Sequence, residues 1–428
     1  MVIRDTGIVQ RLTIVPEADK IDEITMETHS DAPGTRRPGL LPRVMPSAIS
    51  PAASAHLDLI RAFAAWAVMW GHVRAIFFVD YQQFRETGPF LKTLYFVTGF
   101  GHQAVMAFFV LSGFLISSTA IQSWMTGRWS LRDYATNRWS RLHVVLIPGL
   151  LLGLLWDKTG SIVFASTGLY SHPLEVFGGA IAQNQLTAGT FLGNAFFLQT
   201  IICPTFGSNG PLWSLSNEWW YYVLFPVALF AGIAWAKRLI WRAVPLTLLA
   251  VCLSAFLGSE KMLGFVVWMS GCGLVFAHSG LRLPSRRWLG AYSLIASLLL
   301  VGCLTAARIG KPAALGSDLS VGIAFTLFLF GVLQVNVGGK SDSYRTIAHF
   351  LAGFSYSLYV LHFPLLLFVR AWVAPTQKWQ PDPQHLFCGV AAGAVVLGYA
   401  WLVAFFTENR TRAVRDWMRS AVPHFGST

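Results

Sequence analysis

Apolar residues run along this chain in blocks rather than in alternation. From about residue 57 onward, stretches of roughly twenty residues with little charge recur. As a helix, each is long enough to cross about 30 Å of hydrocarbon. Ten such spans are expected, near 57–79, 100–121, 140–157, 212–234, 238–257, 262–279, 288–306, 318–336, 350–372 and 385–406. The pattern predicts an all-α polytopic membrane protein. A shorter apolar piece, FLGNAFFLQTII at 191–202, is too short to span and is expected as a re-entrant or interfacial segment. The first 55 residues mix both charges with scattered Pro and Gly and show no sustained apolar period. They are expected to form a disordered cytoplasmic tail. The transmembrane domain is placed over 56–407 and a basic cytoplasmic tail over 408–428.

Composition agrees with this pattern. Of 428 residues, 54% are apolar and only 12% are charged, against about 25% charged in a soluble globular domain. The net charge of +12 would suit nucleic acid, but its distribution suits a membrane better. The loops after the second, fourth, sixth and eighth spans and the C-terminal tail hold sixteen Lys and Arg; the opposite loops hold seven. That asymmetry, and the even number of spans, put both termini in the cytoplasm. No nucleic-acid partner is expected. The five cysteines (Cys203, Cys252, Cys272, Cys303, Cys388) stand singly, with neither zinc-site spacing nor a disulfide framework, so no metal is expected.

Three polar insertions break the apolar runs. The first span opens HLDLIRAFAAWAVMWGH at 56–72 and carries Asp58, Arg61 and His72. Arg61 and His72, eleven residues apart, differ by only about 20° around a helix and lie about 16 Å apart along it. The three groups form one stripe, expected to face a single neighbour or cavity. An ionisable side chain deep in a bilayer costs about 2.5–3.5 kcal/mol and marks a functional candidate. Asp58 and Arg61 are equally open to a structural ion pair. The second insertion, GPLWSLSNEWWYYVLFP at 210–226, holds Trp213, Ser214 and Glu218. Glu218 lies about 9 Å into its span, close to the depth expected for His72. The two could pair, making His72 a general base with Glu218 against the imidazolium. The third, SYSLYVLHFPL at 355–365, holds His362 beside Pro364, which leaves a helix carbonyl unpaired. His362 reads equally as a packed histidine or a site residue. Ser112 and Gly113 of FFVLSGFLIS suggest close helix packing. P-loop, G-x-S-x-G, G-x-G-x-x-G and H-E-x-x-H motifs are absent.

Taken together these segments resemble the family 3 membrane acyltransferases. HLDLIRAFAAWAVMWGH is similar to that family's first-span signature, FFVLSGFLI to its second-span motif, LWSLSNEWWYY to its WSL-x-x-E motif, SYSLYVLHFPL to its late-span motif and FFTENRTR at 405–412 to its ending. They occur in family order across about 56–412. The resemblance implies an integral membrane O-acyltransferase that moves an acyl group, often acetyl, from acyl-CoA to a hydroxyl of a saccharide or other exported acceptor. Acyl-CoA is then a co-substrate and no cofactor is bound. By the same resemblance His72 matches the catalytic His, Arg61 its basic companion and Glu218 the motif acid. Asp58, Ser112, Trp213, Ser214, His362, Arg138 and Arg141 complete the candidate substrate contacts. Two departures stand out: Trp219 follows Glu218 where many members carry a second acid, and the Pro expected close behind the Arg138/Arg141 pair comes only at Pro148.

The expected partners are membrane lipid, acyl-CoA and a carbohydrate or lipid-linked glycan, in a bacterial inner membrane. Loop arginines suit the phosphates of CoA, and His72 would take the hydroxyl proton or the acyl group itself. The rival from another class is a proton-coupled transporter, which also keeps ionisable groups within its spans. No internal repeat of the kind carriers often show is visible.

Overall fold

The computed structural model describes residues 49–84, 88–172, 181–335 and 342–421. Residues 1–48, most of the expected tail, lie outside the described residues, as do Arg85 and Lys340 of the loop-charge comparison. Among the described residues the chain forms thirteen α-helices and no strand, only two isolated bridges.

The helices are α1 (Pro51–Phe77), α2 (Pro89–Val97), α3 (Gly101–Met125), α4 (Leu131–Val163), α5 (Ala188–Ala195), α6 (Trp213–Ala236), α7 (Ile240–Gly280), α8 (Arg286–Ile309), α9 (Asp318–Gln334), α10 (Asp342–Ala352), α11 (Ser355–Val373), α12 (Pro383–Phe406) and α13 (Thr411–Ala421). Each of the ten expected spans falls on a helix. Seven segments among the described residues are long and apolar enough to cross a membrane: Pro89–Met125, Leu131–Val163, Gly210–Ala236, Ile240–Gly280, Arg286–Ile309, Ser355–Val373 and Pro383–Ala421. This is fewer than ten for identifiable reasons. Two expected spans share α7, which is broken at Gly258 by φ 78°, ψ 169°, a backbone conformation open essentially to glycine alone. Helix α9 has only 17 residues. Helix α1 has 27 residues but carries the Asp58–Arg61–His72 stripe.

Local signals account for the helix starts. Ser50 Oγ accepts the Ala53 N–H and Pro51 occupies the first helical position, so α1 begins inside the stretch expected to be a tail. Ser130 Oγ accepts the Asp133 N–H, and α4 runs on from there. Arg132, Arg138 and Arg141, expected in a loop, therefore stand on a helix. Pro148 lies within that helix.

Helix α3 packs against α1, α7 and α9, while α11 packs against α1, α4 and α12. The α3–α7 approach is close. A Cβ on Gly113 would lie 1.9 Å from the Trp268 carbonyl oxygen, and one on Gly271 would lie 2.1 Å from the Val110 oxygen. These contacts are backbone to backbone, so neither helix can yield by turning a side chain. Gly271→Ala should therefore cost about 1–3 kcal/mol and lower the thermal midpoint in detergent. Gly302→Ala, with nothing within 4 Å of its Cβ, is the control. Equal midpoints for the two variants would refute the tight seam.

Pro364 leaves the Val360 carbonyl without its helical partner, and Asn209 fills the gap: its Nδ2 donates to Val360 O at 2.9 Å. Both groups are buried. Asn209→Ala should destabilise by about 1–3 kcal/mol, read as a lower denaturation midpoint; an unchanged midpoint would show the carbonyl is satisfied otherwise.

The 191–202 segment is α5 followed by a tight turn in which Phe197 and Thr200 adopt positive φ. Its carbonyls are held from three helices: His143 Nε2 bonds to Ala195 O, Trp220 Nε1 to Phe197 O and Lys261 Nζ to Thr200 O. The C-terminal segment carries α13. Arg419 on α13 pairs with Asp133 and donates to Asn137 Oδ1 on α4.

Candidate active site

His72 lies on α1 five residues before its end, and His362 lies in the fully buried middle of α11. Their rings stack with centroids 5.0 Å apart, and His72 Nδ1 is 2.8 Å from His362 Nε2. Donor roles follow from the carbonyls. His362 Nδ1 sits 3.0 Å from Leu358 O and 2.9 Å from Tyr359 O. Carbonyl oxygens only accept, so Nδ1 carries a hydrogen and a neutral His362 presents a bare lone pair at Nε2. His72 Nδ1–H must then donate to it. A neutral His72 is left with its lone pair on Nε2, the arrangement of an oriented general base.

His72 lines a cavity of about 250 Å³ with Arg74, Thr98, His102, Trp213 and Tyr359 among its walls. Trp213 therefore shares a cavity with His72. Ser214 lies behind the wall: its Oγ is 2.5 Å from the Tyr359 hydroxyl, which donates at 2.9 Å to Pro211 O. Ser214 is thus bonded to Tyr359 and Pro211 and not to Glu218.

Glu218 is not the partner of His72. Its carboxylate accepts from Ser112 Oγ at 3.1 Å and from the Tyr222 hydroxyl. Trp268 Nε1 donates to Ser112 Oγ at 3.2 Å. Matched depth did not bring Glu218 and His72 together, because Glu218 points across to α3 while His72 turns toward α11. Tyr222 is one turn from Glu218, a signal available in the sequence and passed over.

The α1 stripe also divides between neighbours rather than facing one. Arg61 Nη2 bonds to Asp58 Oδ1 at 2.9 Å, and Asp58 Oδ2 is 3.6 Å from His349 Nδ1 on α10. Arg61 also feels the charges of Arg141 and Glu408. Glu408 Oε2 in turn accepts from both the backbone N–H and the hydroxyl of Ser357 at 2.9 Å. Arg61 thus belongs to an ionic cluster about three turns from His72, not to the imidazole.

A second cavity, of about 610 Å³, lies at the far end of α3 from the first. Thr119 and Ser123 of α3, Arg128, Arg132, Asp133, Arg138 and Arg419 are among its walls. The Arg138 guanidinium stands over the Tyr134 and Tyr222 rings at 5.6 and 5.9 Å, and Arg138 feels the charges of Arg141 and Glu218. Arg138 thus connects the basic cavity to the Glu218 cluster, and Arg141 connects that cluster to Arg61 and Glu408.

Beyond Tyr222, His102, Asp318 and Glu408 are among the site-lining or site-linked residues that sequence reasoning missed. His102 and Asp318 stand as single polar residues at the starts of α3 and α9, and Glu408 lies within FFTENRTR. Nothing local distinguishes them, since their partners lie 216 and 51 residues away.

Residues 54–403 match the family model described as Acyltransferase domain, of the acyltransferase 3 type. The chain is also 25% identical over 331 residues to the acyltransferase MdmB of Streptomyces mycarofaciens, covering 72% of this chain and 77% of that relative. No solved structure matches. With the family match spanning most of the chain, and five motifs in order on an all-helical frame, this protein belongs to the family 3 acyltransferases and is an acyl-transferring enzyme.

Proposed function

We propose that this enzyme moves an acetyl or other acyl group from acyl-CoA to a hydroxyl of a saccharide or lipid-linked glycan, in a bacterial inner membrane. The chain crosses ten times with both termini cytoplasmic. In support, every expected span coincides with a helix, and the break at Gly258 divides α7 into the two pieces the pattern requires. The excess of Lys and Arg on the side of the α3–α4 junction supports its cytoplasmic placement.

The observation that carries the reading is the hydrogen-bond chain from the α11 carbonyls through His362 to His72. It leaves one imidazole lone pair on a residue that lines a cavity. His72 Nε2 takes the proton of the acceptor hydroxyl as its oxygen attacks the thioester carbonyl, and the proton so gained is shared along Nδ1–H to His362. The basic cavity of Arg128, Arg132, Arg138 and Arg419 suits the CoA phosphates, since guanidinium forks match phosphate geometry. The two cavities lie at opposite ends of α3, so donor and acceptor arrive from opposite sides and meet within the bundle. Glu218, through Ser112, Tyr222 and Arg138, shapes the donor side rather than serving His72.

The test is release of free CoA thiol by the purified full chain in lipid, supplied with acetyl-CoA and a panel of oligosaccharides. Acceptor-dependent thiol release is expected. Tight acetyl-CoA binding without thiol release under any acceptor would count against the transfer.

A further inference from the structure

The cavity that holds His72 holds a second oriented histidine. His102, in the first turn of α3, places Nε2 2.9 Å from Oδ1 and 3.0 Å from Oδ2 of Asp318, the first residue of α9. Its ring also stacks on Trp213, with centroids 5.9 Å apart and planes 20° apart. The carboxylate and the indole fix the ring in two directions. With Nε2 committed to Asp318, Nδ1 is the atom left for chemistry, and no hydrogen bond to it forms among the described residues.

The two histidines are oriented by different partners. His72 Nδ1–H donates to the bare Nε2 of a neutral His362. His102 faces a carboxylate, so an imidazolium there is a paired ion. One site is arranged to take a proton and the other to hold one, and such a division between neighbouring groups separates base from acid. Acyl transfer from a thioester needs both. A thiol has an ordinary pKa of about 8.5, so delivering a proton to the sulfur as the C–S bond breaks makes it a better leaving group.

We propose that His102, held by Asp318, is a second catalytic residue of this cavity: the proton donor to the sulfur leaving the acyl thioester. The inference rests on the acyl-transfer reading given above. The acceptor oxygen forms the new C–O bond and its proton passes to His72 Nε2. The C–S bond breaks with its electron pair on sulfur, which takes the proton from His102 Nδ1. Ester and free thiol leave, with one proton moved from His102 to His72. Solvent exchange resets both rings; the His102 side chain is 51% exposed. Asp318 stays ionised throughout and acts as a positioning residue.

A tie between α3 and α9 with no chemical role would use the same hydrogen bonds, so the test varies the leaving group. Acetyl-CoA is compared with its selenoester analogue, in which a far more acidic selenol leaves without needing a proton. Both donors are given to the full chain in lipid, with water and soluble oligosaccharides as acceptors. His102→Gln should slow turnover of acetyl-CoA about tenfold or more and of the selenoester less than twofold. The near-isosteric Asp318→Asn, which keeps the helix start intact, should show the same selectivity. Equal slowing with both donors, or none with either, would overturn the assignment while leaving the enzyme and His72 in place. No turnover of either donor by the unaltered protein would overturn the acyl-transfer reading and this inference with it.

Discussion

His72→Gln should lower turnover of acetyl-CoA by about 10²–10⁴-fold, the range that a positioned general base contributes. The loss is expected in kcat rather than in donor affinity, because the arginine-lined cavity lies at the other end of α3. Glutamine is preferred to alanine as the replacement: its amide can still donate toward His362 Nε2, so packing against the α11 ring is kept while the basic lone pair is lost. The measurement pairs thiol release with binding of a non-hydrolysable acyl-CoA analogue to the same preparation. Unchanged binding with lost turnover supports His72 as base. Turnover within a factor of two of the unaltered enzyme would rule out His72 and require another proton acceptor in the cavity.

The second large effect is expected at His362, which touches neither proposed substrate. Its Nδ1–H is held by two carbonyls of its own helix, and its Nε2 dictates which nitrogen of His72 carries the hydrogen. His362→Phe fills the buried space but removes the acceptor, leaving the His72 tautomer unspecified. Turnover should fall about 100-fold, on the scale of losing an orienting partner in other oriented-histidine sites. His362→Gln offers an amide oxygen to the same N–H and should recover part of that loss. If packing were the whole role of His362, the apolar Phe would be the better tolerated of the two. A ranking of Phe above Gln in turnover would therefore dismiss the tautomer argument.

Much of the frame was legible because a membrane span is a local property. Twenty apolar residues suffice to predict one, and each predicted span lies on a helix. Where the reading fell short, the cause was local as well. Ser50–Pro51 and Ser130–Asp133 are helix-start signals, but the polar residues around them looked like tail and loop. Gly258 breaks one helix where two separated spans were expected. Close helix packing at Gly113 was anticipated from small residues; its partner, α7, was not. The Val360 carbonyl freed by Pro364 was foreseen, its partner Asn209 was not.

The candidate site divides along a different line. By itself the sequence determined where the candidate residues stand: Asp58, Arg61 and His72 on α1, Ser112 on α3, Arg138 and Arg141 on α4, Glu218 on α6, and His362 on α11. Helical spacing also fixed that Arg61 and His72 share a face about three turns apart. Only the tertiary structure decided who meets whom. It joined His72 to His362 across 290 residues, turned Glu218 toward Ser112, brought Arg61 under the charges of Arg141 and Glu408, and set His102, held by Asp318, on the His72 cavity. The reason is geometric. Along one helix, rise and rotation are set by backbone hydrogen bonds and can be counted from the chain. Between helices, contacts depend on relative rotation and offset set by packing of the whole bundle, and matched depth in the membrane leaves both undetermined.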